Sequence, residues 1–195
     1  MKKLLIGSLI ASSVLFANNN VEINVNNDTL EFSSDMYIND RLNTNSSSNY
    51  YFTLRYLKTE EENGDDTQSL TTMGLKVINP YTDDNGLSFG LGIKSVYASN
   101  DDKTFVATPL TLYGRYELNE TIYFDVEASY ASKVLSYQDA NTYKDGRVTL
   151  NYKVLEDGYI FVGARTIETE YYYSDSVTNT IKYDTSAFVG CKVRF

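Results

Sequence analysis

The feature that most constrains this chain is a two-residue alternation of apolar with polar or small side chains, repeated segment after segment and broken by clusters of Asn, Asp, Gly, Ser and Thr. Successive side chains of a strand point to opposite faces, whereas a helix would mix the two sets, so the pattern predicts strands with one oily face each. Four segments carry it cleanly. Ile122, Phe124, Val126, Ala128 and Tyr130 fall opposite Tyr123, Asp125, Glu127 and Ser129, and Leu87, Phe89, Leu91 and Ile93 fall opposite Ser88, Gly90, Gly92 and Lys94. Met73, Leu75 and Val77 oppose Thr72, Gly74 and Lys76; Val148, Leu150, Tyr152 and Val154 oppose Arg147, Thr149, Asn151 and Lys153. Weaker versions run through 50–56, where Thr53 and Arg55 are the polar face, through 110–118, and through 160–165, where Tyr159 and Phe161 blur the division. The last segment sets Ala187, Val189, Cys191, Val193 and Phe195 against Ser186, Gly190, Lys192 and Arg194. With two short runs, 21–26 and 30–38, joined as a hairpin across Asn27-Asp28, ten strands are expected.

Alternation alone suits a soluble sandwich as well as a membrane barrel, so the polar face has to decide. A solvated face should be crowded with long charged groups; here it is rich in Gly, Ser and Thr with about one charge per strand, as a narrow closed cylinder requires. The connections agree: 118–121 and 155–158 are short, while 59–68, 99–103, 137–141 and 174–179 are polar and generally longer. The expected fold is therefore all-β, a transmembrane antiparallel up-and-down barrel of ten strands, with eight strands plus an N-terminal hairpin outside the wall as the alternative that also keeps the number even. Arg55, Lys76, Lys94, Arg115, Asp125, Glu127, Arg147 and Arg165 are the charged candidates for the lumen. Tyrosines near strand ends (Tyr50, Tyr51, Tyr97, Tyr116, Tyr123, Tyr130, Tyr152, Tyr159 and Tyr171 to Tyr173) suit a lipid–water boundary.

Residues 1–17 read as a cleaved signal peptide: Lys2 and Lys3 form a basic head, 4–16 an apolar stretch, and Ala17 a small residue at the cut. That stretch is shorter than the ~20 apolar residues of a spanning helix. Residues 18–195 are then one exported domain, bound for a bacterial outer membrane. Val189, Cys191, Val193 and Phe195, apolar alternation ending in an aromatic, match the C-terminal assembly signal of such barrels, so the expected partners are outer-membrane lipid and the barrel assembly machinery, with a small solute or surface ligand left open. The lone Cys191 permits no intramolecular disulfide.

The formal charge is −9, more negative still without Lys2 and Lys3, which argues against nucleic acid as a partner. With no histidine, Ser-His-acid hydrolysis and His-based metal sites are removed together. Asp125 and Glu127 share a face beside Arg115, Arg147 or Arg165 and could form an acid/base pair or a constriction, but a lumenal salt-bridge ladder is the simpler reading. Glu60, Glu61, Glu62, Asp65 and Asp66, with Asp83, Asp84, Asp101 and Asp102, lack the spacing of a calcium loop and read as solvated charge. No enzyme and no cofactor are expected.

The segments 74–80 (Gly-Leu-Lys-Val-Ile-Asn-Pro), 87–95, 113–116 (Tyr-Gly-Arg-Tyr), 127–131, 162–165 and the terminal strand resemble the YfaZ family of small outer-membrane proteins of Gram-negative bacteria. The resemblance implies a porin-like barrel with no settled substrate; the absence of tryptophan departs from that family's pattern. The expected function is a structural or porin-like barrel with a narrow, largely filled lumen and weak or no conductance, the alternative being a surface-interaction protein acting through its outer loops.

Overall fold

Every strand carries a row of backbone donors and acceptors that lipid cannot satisfy, and closing the sheet on itself is the way to pair them all. In the computed structural model, which describes residues 19–42, 47–60, 67–80, 86–99, 104–138, 140–174 and 177–195, ten strands do this. They are β1 (Asn20–Val25), β2 (Thr29–Tyr37), β3 (Asn49–Glu60), β4 (Thr67–Asn79), β5 (Leu87–Ser99), β7 (Leu110–Glu117), β8 (Ile122–Ala131), β10 (Ala140–Lys153), β11 (Gly158–Ser174) and β12 (Val177–Arg194). All neighbours are antiparallel. Successive strands pair along the chain, β12 closes on β1, and the wall is complete. Asn19 and Phe195 extend that closure by exchanging backbone hydrogen bonds of 2.7 and 3.0 Å.

The expected N-terminal hairpin is part of the wall. Its turn is fixed by Asn26, whose Oδ1 accepts from the backbone N–H of Asp28 and Thr29 at 2.8 and 2.6 Å, and Asn119 fixes the β7–β8 turn in the same way. Antiparallel connection of ten strands puts both termini at one end with the 118–121 and 154–157 turns. The 38–48 connection, which holds a single helical turn at Asn39–Leu42, shares that end.

Two short strands lie outside the count of ten, β6 (Thr104–Ala107) and β9 (Ser136–Gln138). Pro109 explains them. Proline has no N–H for the ladder, and at Thr108-Pro109 the strand begun as β6 breaks before resuming as β7. Lys94 N–H bonds to the Pro109 carbonyl at 3.1 Å, and Thr108 N–H to Leu135 at 2.7 Å, so β6 and β9 carry the wall of β5, β7 and β8 further toward the loop end. The 137–141 connection expected from sequence is thus largely strand. Likewise β3 runs to Glu60 and β4 starts at Thr67, inside a segment read as loop. The acidic runs of the long loops and the 1–17 segment lie outside the described residues, apart from Glu60 at the end of β3.

The outer surface is a belt of aliphatic and aromatic groups: Phe89, Leu91, Leu110 and Leu112 are each more than 60% exposed, and Met73, Val126, Val148, Ile160, Val162, Val189 and Val193 join them. Exposing so much contiguous apolar surface is unfavourable in water and natural against acyl chains, so the barrel is a transmembrane one. No described helix is long and apolar enough to cross a membrane. The strands do the crossing.

Candidate functional site

With the oily faces turned outward, the charged side chains of the wall gather inside the bore. Arg55, Lys76, Lys94, Arg115, Asp125, Glu127, Arg147 and Arg165 all point inward, where they meet carboxylates and an ammonium that the sequence did not single out: Glu22, Glu31, Asp35, Asp145, Asp184 and Lys192. The hub is Glu31, fully buried. Its carboxylate accepts from Arg147 Nη1 at 2.8 Å, Arg165 Nη1 at 2.9 Å and Asn24 Nδ2 at 2.9 Å, with Arg55 Nε at 4.0 Å. Arg55 reaches across to Glu127 (2.7 Å) and Asp145 (2.9 Å), Lys94 also binds Glu127, and Arg165 binds Asp184. Arg147 Nη2 and Lys192 Nζ share Glu22, each at 2.8 Å. Nearer the termini, Arg115 grips Asp125 with Nε at 2.7 Å and Nη2 at 3.1 Å, and Lys76 holds Asp35 at 2.6 Å. Buried ions persist only when paired in this way. Asp125 and Glu127 are therefore engaged by different cations.

Aromatic rings fill the spaces between the charges. Phe161 is the cross-strand partner of Gly190, and Phe188 of Gly163. A Cβ on Gly190 would lie 2.4 Å from the Phe161 ring and 2.5 Å from the Ile23 carbonyl, so only glycine lets the inward ring lie down against the wall. The two phenylalanines meet edge to face at 6.1 Å, and the Arg147 and Arg165 guanidiniums sit 5.0 and 4.8 Å from the Phe188 ring centre. This resolves the blurred pattern at 159–161: Tyr159 and Phe161 both face the bore, alternating with outward Ile160 and Val162, and Gly190 makes room for the Phe161 ring. Of the tyrosines expected at a boundary, Tyr97, Tyr116, Tyr130 and Tyr152 face outward, while Tyr51, Tyr123, Tyr159 and Tyr171 turn inward. The side chains of Tyr172 and Tyr173 lie outside the described residues.

Toward the loop end the interior changes character. Leu57, Leu70, Ala98 and Phe105 are successive cross-strand partners, all fully buried, on β3, β4, β5 and β6. Val96, Ala107, Ala131, Ala140, Tyr143, Ile167, Tyr171 and Tyr183 complete a single apolar cluster drawn from β3 to β6, β8 and β10 to β12. Phe105 stands at its centre, 5.7 to 6.0 Å from the rings of Tyr143, Tyr171 and Tyr183. The Tyr171 and Tyr183 hydroxyls bond each other, and Tyr143 donates to Asp145 at 3.4 Å, linking the cluster to the ionic layer. Where the short β1–β2 hairpin ends, Thr59 Oγ1 donates to the Tyr183 carbonyl at 3.1 Å and ties β3 to β12.

At the other end lies a cavity of about 380 Å³, walled by Tyr51, Lys76, Tyr113, Arg115 and Arg194, with Arg55, Lys94 and Glu127 at its floor. Among the described residues no group of His, Cys, Asp and Glu is placed to hold a metal ion.

No family model matches this chain, and no curated protein does. Solved structures similar to it include the outer membrane channel DcaP of Acinetobacter baumannii, with 10% identity over 90% of this chain and a TM-score of 0.43. OmpT of Vibrio cholerae, an outer-membrane protein, gives 12%, 86% and 0.39, and the β domain of the Bordetella autotransporter BrkA 14%, 91% and 0.36. The chain spans 62% of the length of DcaP and 56% of OmpT, against 98% of the BrkA domain. Likeness at this level says nothing of activity, so what the barrel does has to be read from its own geometry.

Proposed function

We propose that this chain is a non-enzymatic barrel of a bacterial outer membrane, exported by its first 17 residues, whose lumen is closed by its own side chains so that it conducts solutes weakly or not at all. The observation that carries the reading is the apolar cluster around Phe105, contributed by β3 to β6, β8 and β10 to β12 and backed by the paired ionic layer. Wide water-filled channels belong to barrels of about 16 strands, and in ten the side chains themselves take up the bore. Val189, Cys191, Val193 and Phe195 serve assembly in this view, with the terminal strand sealing the wall against β1. Kinship with the YfaZ family belongs to the same proposal.

Planar-bilayer recording of the refolded protein tests it. Silence is expected, and reproducible unitary steps would overturn the closed lumen. Heat-modifiable gel migration in outer-membrane fractions tests the location.

The length of β11 and β12, 17 and 18 residues, favours a second role. A membrane strand needs only about 9–11 residues, so this hairpin projects beyond the belt and offers a surface for contact. Shortening it and finding attachment to host matrix unchanged would remove that role.

A further inference from the structure

The cavity at the terminal end is a blind vestibule: open where the termini lie and stopped by the ionic layer and the apolar cluster beyond. Its walls carry five carboxylates, Glu22, Asp35, Glu117, Asp125 and Glu127, but seven cationic side chains, Arg55, Lys94, Arg147 and Lys192 in its depth and Lys76, Arg115 and Arg194 toward its mouth. Arg55 and Arg147 are each shared between a carboxylate of the cavity lining, Glu127 and Glu22, and one that stands behind it, Asp145 and Glu31. A chain of net charge −9 thus presents an excess of N–H donors and positive charge to this one enclosed space. Composition alone would give the opposite sign.

Arg194 is the least compensated of the set. Its Nε donates to Asn20 Oδ1 at 3.3 Å, its guanidinium lies 5.5 Å from the centre of the Tyr159 ring, and no carboxylate among the described residues comes within 4 Å of it. Lys76, bound to Asp35 through one of its three donors, is flanked by the Tyr51 and Tyr113 rings at 5.2 and 5.3 Å. Arg115 spends Nε and Nη2 on Asp125 and keeps Nη1 for another acceptor. Low-dielectric walls focus the field of such groups, and about 380 Å³ falls at the small end of pockets for small molecules, about 300–1,000 Å³.

We propose that the vestibule is a binding site for a small, doubly charged oxyanion, a dicarboxylate or a phosphate, entering from the compartment the termini face and leaving the same way. Arg194, Lys76 and Arg115 hold the charge, and Tyr51 and Tyr113 wall the body of the ligand.

Calorimetric titration of the full chain, refolded in detergent, with succinate, inorganic phosphate and glucose tests this. At least one of the two anions binds saturably, glucose does not, and 0.5 M sodium chloride weakens the anion at least tenfold. Arg194→Gln and Lys76→Gln, each checked for heat-modifiable migration, weaken it by a similar factor. If one variant fails to fold, the other decides, and if both fail, the glucose control and salt dependence do. Absence of saturation with either anion, equal binding of glucose, or wild-type affinity in folded variants would overturn the site. Unitary steps in bilayers alongside succinate binding would defeat the closed-lumen reading and the return of the ligand by its entrance, and leave the anion site standing.

Discussion

The bore holds two regions made of opposite materials. From the termini to its middle it is lined by Glu22, Arg115, Asp125, Arg147 and Lys192, whose ions keep one another in place around a cavity; beyond Asp145 it is packed by Leu57, Leu70, Phe105, Ile167 and three buried tyrosines. The two regions answer to different physics. The deeply buried ions of the first region are stable only while every partner is present, because a buried charge left alone costs far more than the pair gains. The apolar half loses energy roughly in proportion to the volume removed, and it tolerates partial loss. A barrel built this way keeps a cavity among ions at one end and an apolar cluster at the other.

The comparison is sharpest at Glu31. Glu31→Ala strips the shared acceptor from Arg147 and Arg165 and should cost about 4 kcal/mol, read by urea unfolding in lipid vesicles. A loss under about 1 kcal/mol would mean that water already compensates this layer. In the apolar half, Phe105→Ala should cost about 3 kcal/mol, and combining it with Tyr143→Ala should bring unitary steps to a bilayer that was silent. Continued silence would place the barrier in the ionic layer instead. Outside the barrel, Leu91→Arg puts a charge in the middle of the belt and should cost about 2 kcal/mol in vesicles. Were the belt in water, the same change at a residue 64% exposed would be close to neutral. Smallest is Arg115→Gln: its pair with Asp125 is about 30% exposed and screened, so stability should change by less than about 1 kcal/mol, while the vestibule loses one of its cations.

Much of this was legible from the chain alone. Ile122 to Tyr130 names its own faces, and all ten wall strands follow from that kind of reading, because period two reports only which side of a sheet a residue occupies. It fails where inside and outside are both apolar. Leu57, Leu70 and Ile167 break the alternation near strand ends, the first two on either side of the stretch 59–68 that reads as loop; nothing local distinguishes an apolar residue bound for the lumen from one bound for lipid. Glu22 and Glu31 were missed for a related reason: their partners Arg147 and Arg165 are more than a hundred residues away. Phe161 and Phe188 fit inside the wall because Gly190 and Gly163 leave room across the ladder.

The sequence by itself determined the strands, their two faces and the charge each turns inward, since those depend on neighbours two residues apart. Which charge meets which, at what height the bore changes from ionic to apolar, and that one end keeps a cavity were decided only when the sheet closed. Closure brings β1 against β12 and sets β2 and β3 across from β10 and β11, and the energy of a lumenal side chain depends on what lies across the bore, which no local pattern records.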